Sequence, residues 1–391
     1  MFDFENGINR CNTSSIKWDR RQNGDDEIVT PFWIADSDWG APPCVVSALI
    51  ERALHPVYGY TYANARYYDS ICDWFRRRAH WQIQREWILP GIGVMPSMCM
   101  ILEELTKPGD RVIAMSPVYD PFFMAIRGTG RIVAEVPLKE HELHYAMDYE
   151  LLEEEMKNGA SAVLLCNPHN PVSRVWSVDE LERLVSLCEE YGVYLISDDS
   201  HCDLVGRNHP YIPVASLQKA ENRIVTLTAP SKTFNVAGIG SSNVIVKDSQ
   251  LRDRIQNCFM NHLIRGSNIF AYTVCCAGYG EGEAWLDEQL AYLEDNVKYF
   301  QEFLSGNISE IKMTPWEGTY LIWLDCRAWE KSSEELVDLL KEKFYVSVSN
   351  GADYGKQADG FLRVNLACPR RNIDILCKAL SDASSFLIQK R

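Results

Sequence analysis

The sequence predicts an α/β fold in which helices cover both faces of a mostly parallel sheet, joined to a smaller α+β domain. Three observations predict this fold. Short apolar runs alternate with helical patterns through the middle of the chain, which is typical of successive βαβ units. A length of 391 residues allows two domains. From about residue 283 the alternation gives way to a long helical stretch and then a strand-rich segment.

The predicted elements of the middle region follow one another in a regular order. Strands are predicted where short apolar runs occur, at 111–115, 162–166, 193–196 and 224–228. Between the second and third strands, a helix is predicted to begin at the capping box of Ser177 and Glu180 and to end at Gly192. Because parallel strands end at one edge of the sheet, a ligand is expected to bind at that edge.

The chain is predicted to divide into a large domain, 46–283, and a small domain, 284–391. The division rests on the change of pattern, since the sequence has no repeats, low-complexity tracts or long linkers that would mark a boundary. In the small domain, leucines recur at helical spacing from Leu286, and 319–324 is predicted to be a strand.

The charge balance argues against a nucleic-acid-binding surface. The net charge is −15, from 54 acidic and 39 basic residues, whereas nucleic acid requires a basic face. The one dense basic run, 76–78, is interpreted as the solvated side of a helix. No stretch approaches 18 uninterrupted apolar residues, so the sequence predicts no membrane-spanning helix.

The thirteen cysteines are interpreted as small buried hydrophobes. No Cys-x-x-Cys pair occurs, and Cys166 follows an apolar run, so neither a disulfide framework nor a metal site is predicted. Residues 1–6 lack the basic and apolar segments of a signal peptide. A reduced, cytoplasmic protein is therefore predicted.

Lys232 and Asp198 carry the strongest chemical signal. Lys232 follows Ser231 at the end of a predicted strand, where its amine suits a Schiff base with an aldehyde cofactor. Asp198 lies 34 residues upstream at the end of another strand and suits the carboxylate that keeps a pyridine nitrogen protonated. Together they predict a pyridoxal phosphate site. Taken alone, Lys232 could be an exposed strand-end lysine and Asp198 a helix N-cap.

Further polar residues are candidates for the same site. Tyr119 and Asn170 also follow predicted strands, and four such residues at one edge are difficult to explain as core packing. Gly93 precedes a helix predicted to run to about Leu105, whose free amides and dipole suit a phosphate, although a simple tight turn is the alternative.

Arg363 is the candidate for binding a substrate carboxylate. It lies within an apolar strand, 361–364, where a charge needs a partner. A guanidinium matches a carboxylate with two parallel hydrogen bonds. A surface salt bridge is the alternative interpretation.

The sequence resembles a known enzyme family over nearly its whole length. The motifs that carry the resemblance are Phe2-Asp3-Phe4, Lys17-Trp18-Asp19, Ala35-Asp36-Ser37-Asp38, Tyr58-Gly59-Tyr60, Ser116-Pro117-Val118-Tyr119-Asp120-Pro121-Phe122, Asn167-Pro168-His169-Asn170-Pro171, Ala229-Pro230-Ser231-Lys232-Thr233-Phe234-Asn235 and Phe361-Leu362-Arg363-Val364-Asn365. These motifs are similar to those of fold-type I pyridoxal-phosphate enzymes of the aspartate-aminotransferase superfamily. The N-terminal run and the Ala-Pro-Ser-Lys variant resemble the branch of cystathionine β-lyase-like C–S lyases, the MalY/PatB type.

The resemblance implies a role for each residue around the cofactor ring. It implies that Asn170 donates a hydrogen bond to the ring oxygen, that Tyr119 stacks on the pyridine face and that His201 lies close to the ring oxygen. Each has a structural alternative: Asn-Pro pairs form turns, an aromatic residue after Ser-Pro-Val can belong to the core, and a lone histidine is often structural.

The resemblance also implies contacts outside the ring. The amides of Val94 and Met95 and the hydroxyl of Ser231 are expected to bind the phosphate. Tyr60 is expected to reach the phosphate of a second subunit, which implies a homodimer with shared active sites. An amide near Ala35 is expected to contact the substrate carboxylate, and the N-terminal segment 1–45 is expected to join the small domain.

Two positions depart from the pattern of the family. Ser173 stands where glycine is usual, and it could alter the turn that positions Asn170. Ala229 stands where other fold-type I enzymes often have a phosphate-binding serine, although alanine is normal in this branch. Neither position belongs to the expected chemistry.

The function that the resemblance implies is α,β-elimination from cystathionine, cysteine or a related thioether, which yields pyruvate, ammonia and a thiol. An aminotransferase on the same scaffold would share every cofactor residue. A regulatory protein that binds a partner, with lyase activity secondary, is a second alternative, and an α/β enzyme without this cofactor is a remote third. No motif identifies the residues that select the thioether.

Overall fold

The computed structural model describes residues 2–19, 29–217, 219 and 221–389. Within these residues the strands are β1 (Thr30–Pro31), β2 (Ile88–Gly91), β3 (Arg111–Ser116), β4 (Ile132–Pro137), β5 (Lys139–His141), β6 (His144–Ala146), β7 (Ala160–Cys166), β8 (Tyr194–Asp198), β9 (Ile224–Thr228), β10 (Ser242–Ile245), β11 (Lys312–Met313), β12 (Leu321–Asp325), β13 (Val346–Ser347), β14 (Ser349–Asn350) and β15 (Phe361–Asn365).

The central sheet has seven strands in the order β2-β10-β9-β8-β7-β3-β4. The run from β9 to β4 is parallel throughout, and β10 is antiparallel to both of its neighbours. Strand β9 is buried at every position and β8 at all but the first, because helices cover both faces. The predicted fold class, with its mostly parallel sheet between helices, is confirmed.

The helices connect these strands and surround the sheet. They are α1 (Ile16–Asp19), α2 (Pro43–Leu54), α3 (Ala65–Arg78), α4 (Val94–Leu105), α5 (Pro121–Gly128), α6 (Tyr149–Lys157), α7 (Val178–Tyr191), α8 (Pro230–Thr233), α9 (Ser249–Asn261), α10 (Ile269–Glu281), α11 (Glu283–Asn307), α12 (Ser333–Phe344) and α13 (Arg370–Gln389). None of these helices combines the length and the apolar character that a membrane crossing requires.

Local sequence signals determine the ends of α7. Ser177 and Glu180 form the predicted capping box, in which each side chain accepts a hydrogen bond from the other residue's backbone amide. Gly192 ends the helix with φ 68°, in the left-handed region that glycine enters without steric cost. The capping box and the glycine stop are confirmed, and the next strand begins at Tyr194, one residue later than predicted.

The C-terminal part of the chain forms a second sheet of order β11-β12-β15-β14, whose paired strands are antiparallel. Strand β12 begins at Leu321 rather than at 319, because Thr319 has φ 62°, outside the extended region. Strand β1 pairs in parallel with β13, so the N-terminal segment contacts the C-terminal part of the chain. The boundaries at 45 and 283 stay predictions, and Met1, 20–28 and 390–391 lie outside the described residues.

Candidate active site

Four candidate residues lie beyond the carboxyl ends of neighbouring parallel strands. Asp198 is the last residue of β8, and its Cα pairs with Leu227 near the end of β9. Lys232 follows β9, although it lies in the single turn of α8 rather than at the strand end itself. Tyr119 follows β3, and Asn170 follows β7. The topology therefore brings these residues to the same edge of the sheet.

Asp198 is buried, and burial raises the pKa of its carboxyl group, partly offset by hydrogen bonds from Ser200 and by the charge of Lys232. The amide of Ser200 donates to Asp198 Oδ1 at 3.0 Å, and the Ser200 hydroxyl donates to the same oxygen. A buried carboxylate with only these donors would be stabilised by a cation facing it.

The Lys232 amine is held at a backbone carbonyl. Its Nζ donates to the carbonyl oxygen of Ala35 at 2.6 Å, and the hydroxyl of Tyr320 donates to the same oxygen at 3.0 Å. Burial lowers the pKa of Lys232 to about 8, against the opposing charge of Asp36, while Arg363 lowers it further. A larger fraction of this amine is therefore uncharged near neutral pH than in an ordinary lysine.

Asn170, Tyr119 and Arg363 are joined by hydrogen bonds. The backbone amide of Tyr119 donates to the carbonyl of Asn170 at 3.1 Å. The guanidinium of Arg363 donates to Asn170 Oδ1 at 3.0 Å. Burial raises the pKa of the Tyr119 hydroxyl to about 12, so this phenol stays protonated at neutral pH. The residues predicted to contact the ring and the substrate carboxylate are thus in mutual contact.

Arg363 is a buried cation that pairs with no carboxylate among the described residues. Besides Asn170, it donates to the carbonyl of Trp33 at 2.5 Å and to Ser349 Oγ at 3.1 Å. Its Nε is buried without a hydrogen-bond partner, and its guanidinium lies 5.0 Å from the ring centre of Tyr354. A buried charge of this kind calls for an anionic partner.

His201 is buried beside Tyr320. Its Nδ1 has no hydrogen-bond partner, and its ring contacts the edge of Tyr320 at a centroid distance of 5.6 Å. Burial, followed by the charges of Lys232 and Arg363, lowers the pKa of His201 well below its usual range. The imidazole is therefore neutral, and it presents an unused polar atom.

The start of α4 presents backbone amides that suit an anion. Gly93 has φ 144°, and Val94 opens the helix without a hydrogen bond from any capping side chain in the described part of the chain. The amide of Gly93 donates to the hydroxyl of Ser242 at 3.2 Å, which fixes the turn before the helix. The amides of Val94 and Met95, at the first two helical positions, are left for a ligand. Ser231 is partly exposed in the first turn of α8.

Two predicted contacts involve a second subunit or the substrate, so they do not lie within a single chain. Tyr60 is fully exposed on the segment between α2 and α3, so its contact with a phosphate stays a prediction. At Ala35 the observed contact is made by the carbonyl, which accepts from Lys232, whereas the prediction concerned an amide near this residue. That amide contact with substrate also stays a prediction.

Several residues at the site have no role in the sequence-based prediction. Tyr320, Ser200 and Ser349 are bonded to Ala35, Asp198 and Arg363. Asn235 and Asn365 hold the segment around Asp36 and stand in motifs without an assigned role. Asn235 had a signal, since it follows Lys232 by three residues. Ser349 had none, because its contact with Arg363 depends on the pairing of β14 with β15.

The residues present fit pyridoxal phosphate. Lys232 offers a half-buried amine of lowered pKa, Asp198 offers a buried carboxylate, and the uncapped start of α4 offers amides for a phosphate. The unpartnered Nδ1 of His201 and Nε of Arg363 are polar atoms that an amino-acid adduct would supply with partners.

Comparison with known proteins agrees with this geometry. Residues 35–380 match the family model for aminotransferase class I and II. Cystathionine β-lyase PatB of Bacillus subtilis is 38% identical over 94% of this chain and 95% of its own length. Protein MalY of Escherichia coli is 31% identical over 96% of each chain. Cystalysin from Treponema denticola, whose structure contains pyridoxal 5'-phosphate, superposes with a TM-score of 0.92 at 34% identity, covering 98% of this chain and 100% of that one.

The chain therefore belongs to the aminotransferase class I and II family. Its similarity to PatB and MalY confirms the resemblance to the MalY/PatB branch that the sequence motifs indicated.

Proposed function

We propose that this protein is a pyridoxal-phosphate-dependent C–S β-lyase that releases pyruvate, ammonia and a thiol from cysteine-type thioethers. The observation that carries the proposal is the convergence of a half-buried amine of lowered pKa, Lys232, and a buried carboxylate, Asp198, at one sheet edge. The similarity to a cystathionine β-lyase over almost the whole chain supports the choice of reaction.

Each proposed role follows from the position of the residue. Pyridoxal phosphate supplies an aldehyde for the substrate amine and a ring that withdraws electrons from the substrate Cα. Asp198 holds a proton at the ring nitrogen, because a buried carboxylate is stabilised by a facing cation. Lys232 Nζ takes the Cα proton, since its lowered pKa leaves the amine available as a base. Arg363 binds the α-carboxylate through its guanidinium, whose Nε has no hydrogen-bond partner.

The remaining site residues position the cofactor. Asn170 and His201 would hold the ring oxygen, and Tyr119 would contact the face of the ring. The amides of Val94 and Met95, with the Ser231 hydroxyl, bind the phosphate. Support comes from the uncapped helix start and from the unpartnered Nδ1 of His201.

A product assay tests the reaction. Purified protein with bound cofactor is incubated with cystathionine, cysteine and S-methylcysteine, and pyruvate, free thiol and keto acid are measured. Pyruvate and thiol in equal amounts are expected. Transfer of the amino group to a keto acid without thiol release would instead favour an aminotransferase, the second candidate, which the family match supports equally.

We also propose that the protein acts as a homodimer. Apolar and tyrosine side chains stand exposed on α2 and on the segment after it: Val46, Ile50, Leu54, Val57, Tyr58, Tyr60 and Tyr62. A depression of about 490 Å³ lies between α2, this segment and α10. An apolar surface of this kind is typical of a subunit interface. A second copy of the chain would cover it and bring Tyr60 to the neighbouring phosphate site.

We further propose that the protein is located in the cytoplasm, where its cysteines stay reduced. Eight of the thirteen cysteines are buried and form no disulfide. Unpaired thiols in this number are typical of a reducing compartment.

A further inference from the structure

Four buried or half-buried charges form a cluster between the N-terminal segment and the active site. The ammonium of Lys17 lies 3.0 Å from Asp38 and 3.7 Å from Asp36. The guanidinium of Arg10 donates both of its terminal nitrogens to Asp36, at 2.9 and 2.8 Å, and lies 3.6 Å from Asp38. Two positive and two negative charges leave the cluster neutral. The proposed reaction assigns no role to any of the four.

Lys17 is the most buried of these charges, with 1% of its side chain exposed, and Asp38 follows with 3%. Asp38 also accepts from the indole of Trp18 at 2.9 Å. A charge buried to this degree is stable only while it is compensated, and removal of Lys17 would leave Asp38 with the more distant Arg10, at 3.6 Å, as its charged partner. The burial therefore makes the position of the Asp36–Asp38 stretch depend on Lys17.

The cluster holds a segment that touches the proposed catalytic amine. Lys17 Nζ donates to the backbone carbonyl of Asp36 at 3.1 Å. The carbonyl of the preceding residue, Ala35, accepts a hydrogen bond from Lys232 Nζ at 2.6 Å. The carbonyl that Lys17 holds and the carbonyl that holds Lys232 thus belong to consecutive residues.

The same segment, residues 34–39, is held from two further sides. Asn235, from the turn that carries Lys232, accepts from the amide of Ser37 at 3.2 Å and donates to its carbonyl at 3.0 Å. Asn365, from β15, donates to the carbonyls of Ile34 and Asp36, each at 2.7 Å. Lys17 and Arg10 supply the third side, and theirs is the only one of the three that is charged.

We propose that Lys17 is a positioning residue. It holds the 34–39 segment and thereby keeps the Ala35 carbonyl at the Lys232 amine. The inference rests on the proposed function, because the contact matters for turnover only if Lys232 moves a proton. The carbonyl restricts the amine to one direction whenever the amine is free. Loss of Lys17 allows the segment to shift and leaves the amine less well oriented.

The test compares Lys17→Met, Lys17→Arg and the double variant Lys17→Met/Asp38→Asn with the wild type. Lys298→Met is the matched control, since Lys298 is exposed on α11 and pairs only with Glu302 at 4.0 Å. Each holoprotein is measured for kcat and KM with cystathionine, for bound cofactor, for melting temperature and for amide hydrogen exchange.

Lys17→Met is expected to lower kcat about tenfold, because the Lys232 amine is then less well oriented for proton transfer. Bound cofactor is expected to change by less than about twofold, because the residues proposed to bind it lie outside the 34–39 segment. KM is expected to change by a smaller factor than kcat, because Arg363 still binds the substrate carboxylate. Exchange should accelerate about tenfold at the amides of Ser37 and Asp38, which are bonded to Asn235 and Ala367. Exchange in β7 and β9 should not change, and Lys298→Met should match the wild type throughout.

The other two variants separate positioning from a general loss of stability. Lys17→Arg keeps the charge and the donor, so it should recover most of kcat. The double variant leaves no unpaired buried charge, so it should regain the melting temperature. Its kcat should stay low, because the Asp36 carbonyl then keeps the Asn365 donor and lacks the Lys17 donor. These two proteins also decide the question if Lys17→Met does not fold.

Unchanged exchange at 34–39 in Lys17→Met would overturn the inference, and so would full recovery of kcat in the double variant. Acceleration spread equally through β7 and β9 would overturn it too, since that result indicates a purely structural role. If the wild type releases no pyruvate, the proposed function fails, whereas the exchange data still decide whether Lys17 holds the segment.

Discussion

Arg363 shows how much of the site depends on single buried charges. The structure gives it three polar partners, none of them charged: Asn170, the Trp33 carbonyl and Ser349. Its Nε has no hydrogen-bond partner. A cation in this condition is stabilised by an incoming carboxylate, and every amino-acid substrate has one.

Replacing Arg363 with alanine is expected to raise KM for all amino-acid substrates alike. A charge-assisted hydrogen bond contributes about 1.5–3 kcal/mol, so the loss corresponds to roughly a ten- to hundredfold weaker binding. Arg363→Lys should recover only part of the lost substrate binding, because an ammonium cannot form two parallel hydrogen bonds. Steady-state kinetics with two substrates and the visible cofactor spectrum provide the measurement. Unchanged KM, or loss of the cofactor alone, would contradict the assigned role.

The pKa of Lys232 gives a second expectation at this scale. Since burial lowers this pKa from its ordinary value to about 8, the free amine becomes the major form as the pH rises above about 8. The rate at which apoprotein binds pyridoxal phosphate covalently should therefore increase with pH and level off above that value. Stopped-flow absorbance from pH 6 to 10 measures it, with Lys232→Ala as control. A midpoint near 10.5, the ordinary value, would contradict the role of burial.

At the scale of elements, the turn after β7 explains an unusual residue. Ser173 has φ 61°, in the left-handed region where a side chain is unfavourable, which accounts for the glycine usual at this position. Its hydroxyl donates to the carbonyl of Leu321 at 2.7 Å, across to β12. The hydrogen bond offsets the backbone cost, so the turn that carries Asn170 is retained.

A pair of variants separates these two effects. Ser173→Ala loses the hydrogen bond and keeps the backbone cost, so the free energy of unfolding should fall by about 1–2 kcal/mol. Ser173→Gly loses the same bond but removes the backbone cost, so it should be the more stable of the two. Urea unfolding at a fixed cofactor concentration measures both. Glycine proving less stable than alanine would show that the backbone carries no cost here.

Elements with local signals were predictable, and contacts between distant segments were not. The capping box of α7 and the start of α4 at Val94 follow from residues within a few positions of each helix end. The Ala35 carbonyl that holds Lys232 could not be predicted, because 197 residues separate the two and no periodic pattern specifies such a contact. The same is true of Ser349, which contacts Arg363 only because β14 pairs with β15.

At the scale of the whole molecule, the exposed tyrosines after α2 require an explanation that one chain does not provide. Tyr60 is fully exposed, and Tyr62 and Leu54 are more than three-quarters exposed. Large aromatic and aliphatic side chains clustered on one surface are costly in water. A second copy covering this surface would also supply Tyr60 to the partner's site.

Tyr60→Phe is expected to weaken cofactor binding about five- to tenfold, the effect of one lost hydrogen bond, while the dimer persists. Mixing it with the inactive Lys232→Ala protein should restore activity, because a mixed dimer contains one site with both residues intact. Equilibrium dialysis, sedimentation and the pyruvate assay measure these outcomes. A monomer with full activity would contradict the shared site.

The central claim is that Lys232 carries pyridoxal phosphate covalently at the edge of the sheet. Holoprotein is reduced with borohydride, digested and analysed by mass spectrometry. We expect the visible absorbance to disappear and a phosphopyridoxyl group to be found on the peptide that contains Lys232. The Lys232→Ala protein should carry no such group. A label on another lysine, or no label in a protein saturated with the cofactor, would contradict it.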